Sequence, residues 1–531
     1  MRYRTLHGRH PPPHFDSWYK FARAKSVSVI DDYTQITDDL RPFWSIPPNT
    51  LRRIVRGLID EGDGISGLKI RNGTAERTDD GWRAREMERM LGVAAEVLPD
   101  LEVAMNRHDQ PRVLVPWEEL QGALKVEVKG RGLNDDARNA WSKVEVTEKE
   151  MEDAPGGGWY SMAGKEYMAS VTPACPPGSW ARESNSTHPA LTEAQAAASF
   201  LTPHGHVHNF NLSSDLCTIG PDAGRTHGLL FSATTLMTTS SIVPVFGECK
   251  VNVNNEILFP ANMYYKQDPR YDYSPAHDLP WHEKAALMFW RGVTSGGYQT
   301  PKNWRRLHRH RLVLGTNATL LHDKDAKLVV NDTVTTPFPE LAAFAQEHTD
   351  VGFSEIKCET DNCEYLEREL TLVSQTDLAD QFVNKYLIDV DGHSFSGRWN
   401  AFLKSHSLGL KATIFREWHD SRLFAWRHFV PVSNGYGELM GLLGYFIGAG
   451  DVPSHDAEAE LLASQGRRWA ERVLRREDME VYVYRLMLEY ARLLDANRDE
   501  VGYTGDGKEV VEEPEWREIW EEVLVEEGVE V

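Results

Sequence analysis

The chain has 531 residues, more than one hydrophobic core usually supports, so two or more packed units are expected. Its 41% apolar and 10% aromatic content excludes a disordered chain. A formal net charge of −22 argues against a broad nucleic-acid surface, because neutralising phosphates requires a basic face.

In chain order, Pro11-Pro12-Pro13 and the aromatic residues Trp18, Tyr19 and Phe21 open an N-terminal arm, residues 1–75, expected to pack on the first domain. Apolar spacing of three and four over 82–98 predicts a helix with Met87, Met90, Leu91 and Val97 on one face. Residues 101–105 read as a buried strand. It ends at Asn106, Arg107, His108 and Asp109, just before Pro111, which puts those polar residues on a loop. The Pro/Gly-rich stretch 148–188 predicts a long irregular covering segment. Residues 242–246 read as a strand, and the aromatic, proline-containing crossing 259–281 holds the expected domain boundary.

In the second half, 287–290 read as a buried strand running into Arg291 and Gly292, and a basic helix starts near Lys302. Further strands are expected at 386–390 and 410–415, with a helix starting at Trp399. Strand, loop and helix recurring in this order predict an α/β domain with a parallel sheet, whose ligands sit at the carboxyl ends of the strands. Residues 456–494 predict one long amphipathic helix. The acid-rich end 506–531, with Trp516 and Trp520 four apart, reads as a peripheral cap.

Three predicted strand ends share one chemistry: Arg291-Gly292-x-Thr294-Ser295-Gly296-Gly297, Asp391-Gly392-x-x-x-Ser396-Gly397-Arg398 and Glu417-Trp418. Small residues admit a phosphate to the backbone, hydroxyls and helix N-terminal amides donate hydrogen bonds, and arginine pairs with phosphate oxygens. Together they read as a diphosphate cradle. Neither glycine-containing stretch fits GxxxxGK[ST] or GxGxxG, which weakens ATP and dinucleotide readings. In the first half, Asp109 is a carboxylate able to take a proton from an attacking hydroxyl, although pattern alone favours a plain turn cap before Pro111. Asp389-x-Asp391 and Asp323-x-Asp325 look like metal-binding triplets, yet such triplets arise by chance in a chain with 80 acids. His204-x-His206-x-His208 reads as a polar loop rather than a metal site, and 305–311 as a solvated basic helix face.

Five cysteines form no CxxC pair, which removes zinc-ribbon and thioredoxin-like readings. Cys358 and Cys363 could close a small disulfide loop or remain buried thiols. Asn-x-Ser/Thr patterns begin at Asn72, Asn185, Asn211, Asn317 and Asn331, which suits a secretory chain. No secretion signal opens the sequence, and its best apolar run, 440–449, is too short to span a bilayer. The chain is expected to be soluble as it stands, any membrane anchor preceding Met1.

An ordered set of motifs is similar to glycosyltransferase family 90, which includes fungal capsule-associated xylosyltransferases and animal protein O-glucosyltransferases. They are Asp100-x-Glu102 through Asn106-x-x-Asp109-x-Pro111-Arg112, Phe289-Trp290-Arg291-Gly292, and Ile388-Asp389-Val390-Asp391-Gly392 through Ser396-Gly397-Arg398-Trp399. Phe402-Leu403-Lys404-Ser405, Glu417-Trp418-His419-Asp420, His428-Phe429-Val430-Pro431 and 469–485 extend the set. The resemblance covers Pro11 to about Leu494. It implies an α/β protein of GT-B type: two Rossmann-like domains facing a cleft, with an N-terminal arm and C-terminal helices. The acceptor domain would be 76–265, the UDP-sugar domain 266–465, and 466–531 would pack back on the body.

By the same resemblance, Asp109 is the catalytic base, with Asn106, His108 and Arg112 on the acceptor side. Arg291 and Arg398 contact the diphosphate, and Gly292, Thr294, Ser295, Phe395, Ser396 and Glu417 line the UDP-sugar. The implied reaction is inverting transfer of a sugar to a glycan hydroxyl, giving a β-linkage from an α-linked donor. The Pro11-Pro12-Pro13-x-Phe15-x-x-Trp18 opening favours UDP-xylose and an acceptor such as a mannose-containing glycan or glycolipid. UDP-glucose transfer, or a catalytically silent glycan-binding protein of the same fold, stand as alternatives. No cofactor or metal ligand set is implied, dependence on Mn²⁺ or Mg²⁺ stays open, and the Golgi or secretory-pathway lumen is the expected compartment.

Overall fold

The computed structural model describes residues 2–505 apart from 143–155, 164, 185, 187–190, 235, 331–333 and 359–361. The acid-rich end with Trp516 and Trp520, and the glycosylation patterns at Asn185 and Asn331, lie outside the described residues.

The fold is mixed α/β, with helices packed on two five-stranded sheets. The first sheet contains β1 (Ile65–Arg71), β2 (Thr74–Arg77), β3 (Leu101–Asn106), β4 (Val245–Gly247) and β5 (Ile257–Leu258), in the order β2-β1-β3-β4-β5. β1 runs antiparallel to both its neighbours, and β3, β4 and β5 are parallel, so this sheet departs from an all-parallel Rossmann-like one. The second contains β6 (Ala285–Val293), β7 (Thr349–Glu355), β8 (Asn384–Val390), β9 (Leu408–Ala412) and β10 (Val430–Pro431), in the order β7-β6-β8-β9-β10. Every pairing in it is parallel. All parallel strands end on one edge, so the loops after β6, β8 and β9 meet there.

β8 and β9 are buried along their whole length, as expected of strands covered on both faces. β3 is also fully buried, although it carries Glu102; Arg56, Lys69 and Arg71 surround that carboxylate and hold its pKa below the usual value despite burial. The largest apolar cluster is shared by distant parts of the chain. Trp18 of the arm donates its indole N–H to the Val481 carbonyl at 3.0 Å, and Tyr490 stacks edge-on against Phe246 of β4 at 4.9 Å and donates to the Glu102 carbonyl. The arm and last helix therefore complete the core of the first half.

Some predicted elements differ. The helix expected over 82–98 is α-helical only for Trp82–Leu91; Gly92 takes φ +44° and the chain continues as a 3-10 turn, Gly92–Val97. Of 242–246 only the end pairs, as Val245–Gly247, because Pro244 has no N–H to give a ladder. The long helix of 456–494 is two, Asp456–Val473 and Arg476–Leu494, broken where Arg475 is extended and the Asp478 carboxylate caps its amide. β6 extends through Arg291 and Gly292, which lie within the strand rather than beyond it. The 305–311 segment is not a solvated face: His308, Arg309 and His310 on the His308–Gly315 helix are buried. His204 and His206 lie in a turn closed by a Leu201–Val207 bridge, and His208 follows it. The crossing 259–281 carries only short helical turns. Cys358 is bonded to Cys363, and Cys175 to Cys217.

Candidate active site

Beyond the carboxyl ends of β6 and β8, the buried guanidinium of Arg309 lies next to that of the half-buried Arg398. Arg309 donates from Nη1 to Ser295 Oγ at 2.7 Å and from Nε to the Asp391 carbonyl at 2.8 Å. Arg398 donates to the Arg291 carbonyl at 2.6 Å. Both guanidinium carbons lie 5.7 Å from the Trp290 ring centre. Among the described residues neither has a carboxylate at ion-pair distance. Burial, followed by the charge of Arg398, lowers the Arg309 pKa to about 10, and burial lowers that of Arg398. Asp389 and Asp391 offset part of this charge through space without closing an ion pair, so the two neighbouring guanidiniums are better compensated around an added anion. Gly392 makes the arrangement possible, since a Cβ there would stand 2.8 Å from Arg309 Nη2.

The glycines after β6 have a further role. A Cβ on Gly228 would sit 1.8 Å from the Gly296 carbonyl oxygen, so the short helix Gly228–Phe231 and the β6 loop meet backbone to backbone. Ser232 and Tyr298 fasten the contact with bonds of 2.6 and 2.7 Å. Against this loop His227 and His308 stack 4.0 Å apart. His227 contacts the Asp391 carboxylate at 3.2 Å, and His308 contacts the Asp391 carbonyl at 2.8 Å. Asp391 also accepts from Thr413 Oγ1 and the Ile414 amide, while Asp389 pairs with Lys411 at 2.9 Å. Protein groups thus engage both carboxylates of the triplet.

On the other side, the loop after β3 presents Asp109, whose side chain is 52% exposed and accepts from Arg83 Nη2 at 2.7 Å. Arg83 also binds Glu248 at 2.7 Å. Burial alone would lower the Arg83 pKa, but the carboxylates of Glu248 and Asp109 outweigh it and raise it. Arg83 is thereby a fixed cation that orients the Asp109 carboxylate. Two contacts join this loop to the one after β8. Gln110 Nε2 donates to Thr234 Oγ1, itself 3.3 Å from His393 Nδ1, and Cys249 lies 3.6 Å from the Asp109 carbonyl while facing the Phe395 backbone. A cavity of about 310 Å³ has Trp82, next to Arg83, on one wall. Met263 and Tyr271 form another wall and pack against Gly397, beside Arg398. Lys266, Asp268 and Arg270 also line it.

The remaining predicted residues have defined places. Glu417 is buried, accepts from Tyr264 at 2.6 Å and lies 3.7 Å from Lys411; burial raises its pKa to about 8 against the pull of Lys411 and Tyr264. Phe395 is buried against Tyr264, and Ser396 Oγ is buried without a hydrogen-bond partner among the described residues. Thr294 exchanges hydrogen bonds with the Lys357 backbone, which ties the end of β6 to the segment after β7. Gly292 leaves room for the Trp290 ring. The Arg291 guanidinium is engaged by Asp350 at 2.7 Å and by the carbonyls of Asp350 and Ser374, so its backbone, not its side chain, is what meets Arg398. Asn106 closes its own loop by bonding the Gln110 carbonyl and the His108 amide. Arg112 is buried, donates to the Asp63, Gly64 and Met237 carbonyls and stacks 3.8 Å over Trp159. Burial, then Arg112 and Arg83, lower the His108 pKa. Arg83, Tyr264 and Arg309 were not singled out from the sequence. The first two meet their partners only through the tertiary fold, and the third was hidden in a run of basic residues.

The profile of glycosyl transferase family 90 matches residues 231–526, more than half of the chain. The chain belongs to that family. Over 150 residues it is 27% identical to protein O-glucosyltransferase 3 of Homo sapiens, covering 28% of each chain. Over 144 residues it is 28% identical to protein O-glucosyltransferase 2 of Danio rerio, covering 27% of each. The matched stretches span little more than a quarter of the length of these relatives. In this family 90 chain the matched residues include Arg309, Arg398 and Glu417, whereas Arg83 and Asp109 precede them. Among the described residues, no helix is long and apolar enough to cross a membrane.

Proposed function

We propose that the protein is an inverting, UDP-sugar-dependent glycosyltransferase of GT-B type, with acceptor bound by 76–265 and donor by 266–465. The observation that carries this reading is the adjacent pair of guanidiniums, Arg309 buried and Arg398 half-buried, with no carboxylate at ion-pair distance among the described residues, beyond the ends of parallel strands. A diphosphate supplies the missing negative charge. Asp109, oriented by Arg83, takes the proton of the acceptor hydroxyl, whose oxygen attacks the anomeric carbon. The bond from that carbon to the UDP oxygen breaks on the opposite face. Negative charge grows on the departing diphosphate, and the two guanidiniums stabilise that state more than the bound donor. Arg291 supports Arg398 through its carbonyl, Ser295 supports Arg309, and Phe395, Ser396 and Glu417 border the nucleotide sugar. Neutralisation by arginine needs no metal, and turnover in the presence of EDTA is the check.

Asp109→Asn should reduce transfer about 10²- to 10⁴-fold, the usual contribution of a general base, with UDP affinity held within a few-fold. Unchanged turnover in that variant removes the base assignment. For the transferred sugar, the resemblance of the Pro11 to Trp18 opening to the fungal branch supports xylose, carried to a mannose-containing glycan or glycolipid. The printed names of the relatives support glucose as a second reading. UDP-xylose and UDP-glucose compared at equal concentration, by UDP release and product mass, separate the two. Two disulfides fit an oxidising secretory lumen, and the Golgi assignment rests on the resemblance.

A further inference from the structure

A second cavity, of about 450 Å³, shares no lining residue with the one beside Trp82 and Tyr271. Trp117 and Trp180 line it, together with Ser179, Asp215, Asn252 and Asn255. Its walls are held firmly. The Cys175–Cys217 disulfide contributes one side, and the Asp215 carboxylate caps the Leu216–Thr226 helix through the Cys217 and Thr218 amides. The two tryptophans are clasped by an ion pair of their neighbours, Arg182 to Glu118 at 2.6 Å, with Arg182 also bonded to the Cys175 carbonyl. Ser179 Oγ is buried there without a hydrogen-bond partner among the described residues.

Half-buried indoles beside side-chain amides, a hydroxyl and a carboxylate match a ring with apolar C–H faces and a hydroxylated rim. The volume suits one or two such rings. A single loop connects the cavity to the candidate active site: Cys249 touches the Asp109 carbonyl, and Asn252, Val253 and Asn255 of the same loop line the cavity. Three residues of fully extended chain span at most about 11 Å, so Cys249 and Asn252 are no farther apart than that.

We propose that this cavity is a remote acceptor subsite, binding a pyranose ring of an oligosaccharide while another ring of the same chain offers its hydroxyl to Asp109. The inference rests on the glycan-acceptor reading above. Its test is isothermal titration of the full-length protein with mannotriose, in wild type, Trp117→Ala, Trp180→Ala and Trp180→Phe. Each alanine variant should weaken binding about tenfold, as expected for losing one aromatic wall, and Trp180→Phe should retain most of the affinity. UDP release from UDP-xylose without acceptor should match wild type in all three. No mannotriose binding by wild type, or affinity within twofold of wild type in both alanine variants, overturns the subsite. So does a loss of affinity accompanied by loss of UDP release, which marks general damage. The donor reading fails separately, if wild type releases no UDP from any UDP-sugar.

Discussion

Arg309 illustrates how a residue can lower stability and serve binding at once. Removing a buried charge that has no ion-pair partner relieves the empty protein, whereas removing a charge that meets a phosphate weakens the complex. Arg309→Met should therefore leave the apo melting temperature unchanged or raised, and weaken UDP by about tenfold or more, the range of a charge-assisted hydrogen bond. A lower apo melting temperature with intact UDP affinity, read in one thermal-shift series, would assign the residue a packing role instead. Glu417 makes a prediction in pH. Burial raises its folded pKa to about 8, above its ordinary value of 4.5, so the folded state holds the proton more tightly. Stability from this group is complete below about pH 4.5 and is lost as pH rises through 8, by at most about 1.4 kcal/mol per unit. Glu417→Gln should flatten that slope, measured by urea unfolding at pH 5, 6.5 and 8.

At the scale of elements, the β6 loop and the Gly228–Phe231 helix depend on a backbone contact that no side chain can enter. Gly228→Ala places a methyl 1.8 Å from the Gly296 oxygen, so the loop must shift. Loss of about 1–3 kcal/mol of stability is expected, together with weaker UDP binding, because the same loop carries Ser295, the partner of Arg309. Gly466→Ala is the control. Its Cβ would meet the His428 carbonyl at 2.3 Å, on the Asp456–Val473 helix, and should lower stability while leaving UDP affinity intact. Chemical denaturation and UDP titration of the two variants give the comparison. The strands behind these loops were legible in the sequence because short runs such as 386–390, apolar but for Asp389, stop at turn residues. The split of 456–494 was not, because apolar spacing continues across Arg475 and only the side-chain cap from Asp478 shows the break.

Across the whole molecule, the first and last parts of the chain share one core. Trp18→Ala empties a fully buried site and severs the bond to Val481, and should lower stability by about 3–5 kcal/mol with little change in UDP affinity. A selective loss of UDP binding in that variant would contradict the placement of the arm. By itself the sequence determined the α/β character, the parallel order of the second half and the three motifs that meet at its strand ends, since each is written in contiguous residues. It also marked Asp109 and Arg398 through family resemblance. Only the tertiary structure decided that Arg83 orients Asp109, that Arg309 rather than the Arg291 side chain stands beside Arg398, and that the last helix completes the first core. The reason is physical. A local pattern reports which face of an element is apolar, but whether a charged residue on it finds a carboxylate, a carbonyl or none depends on segments tens to hundreds of residues away.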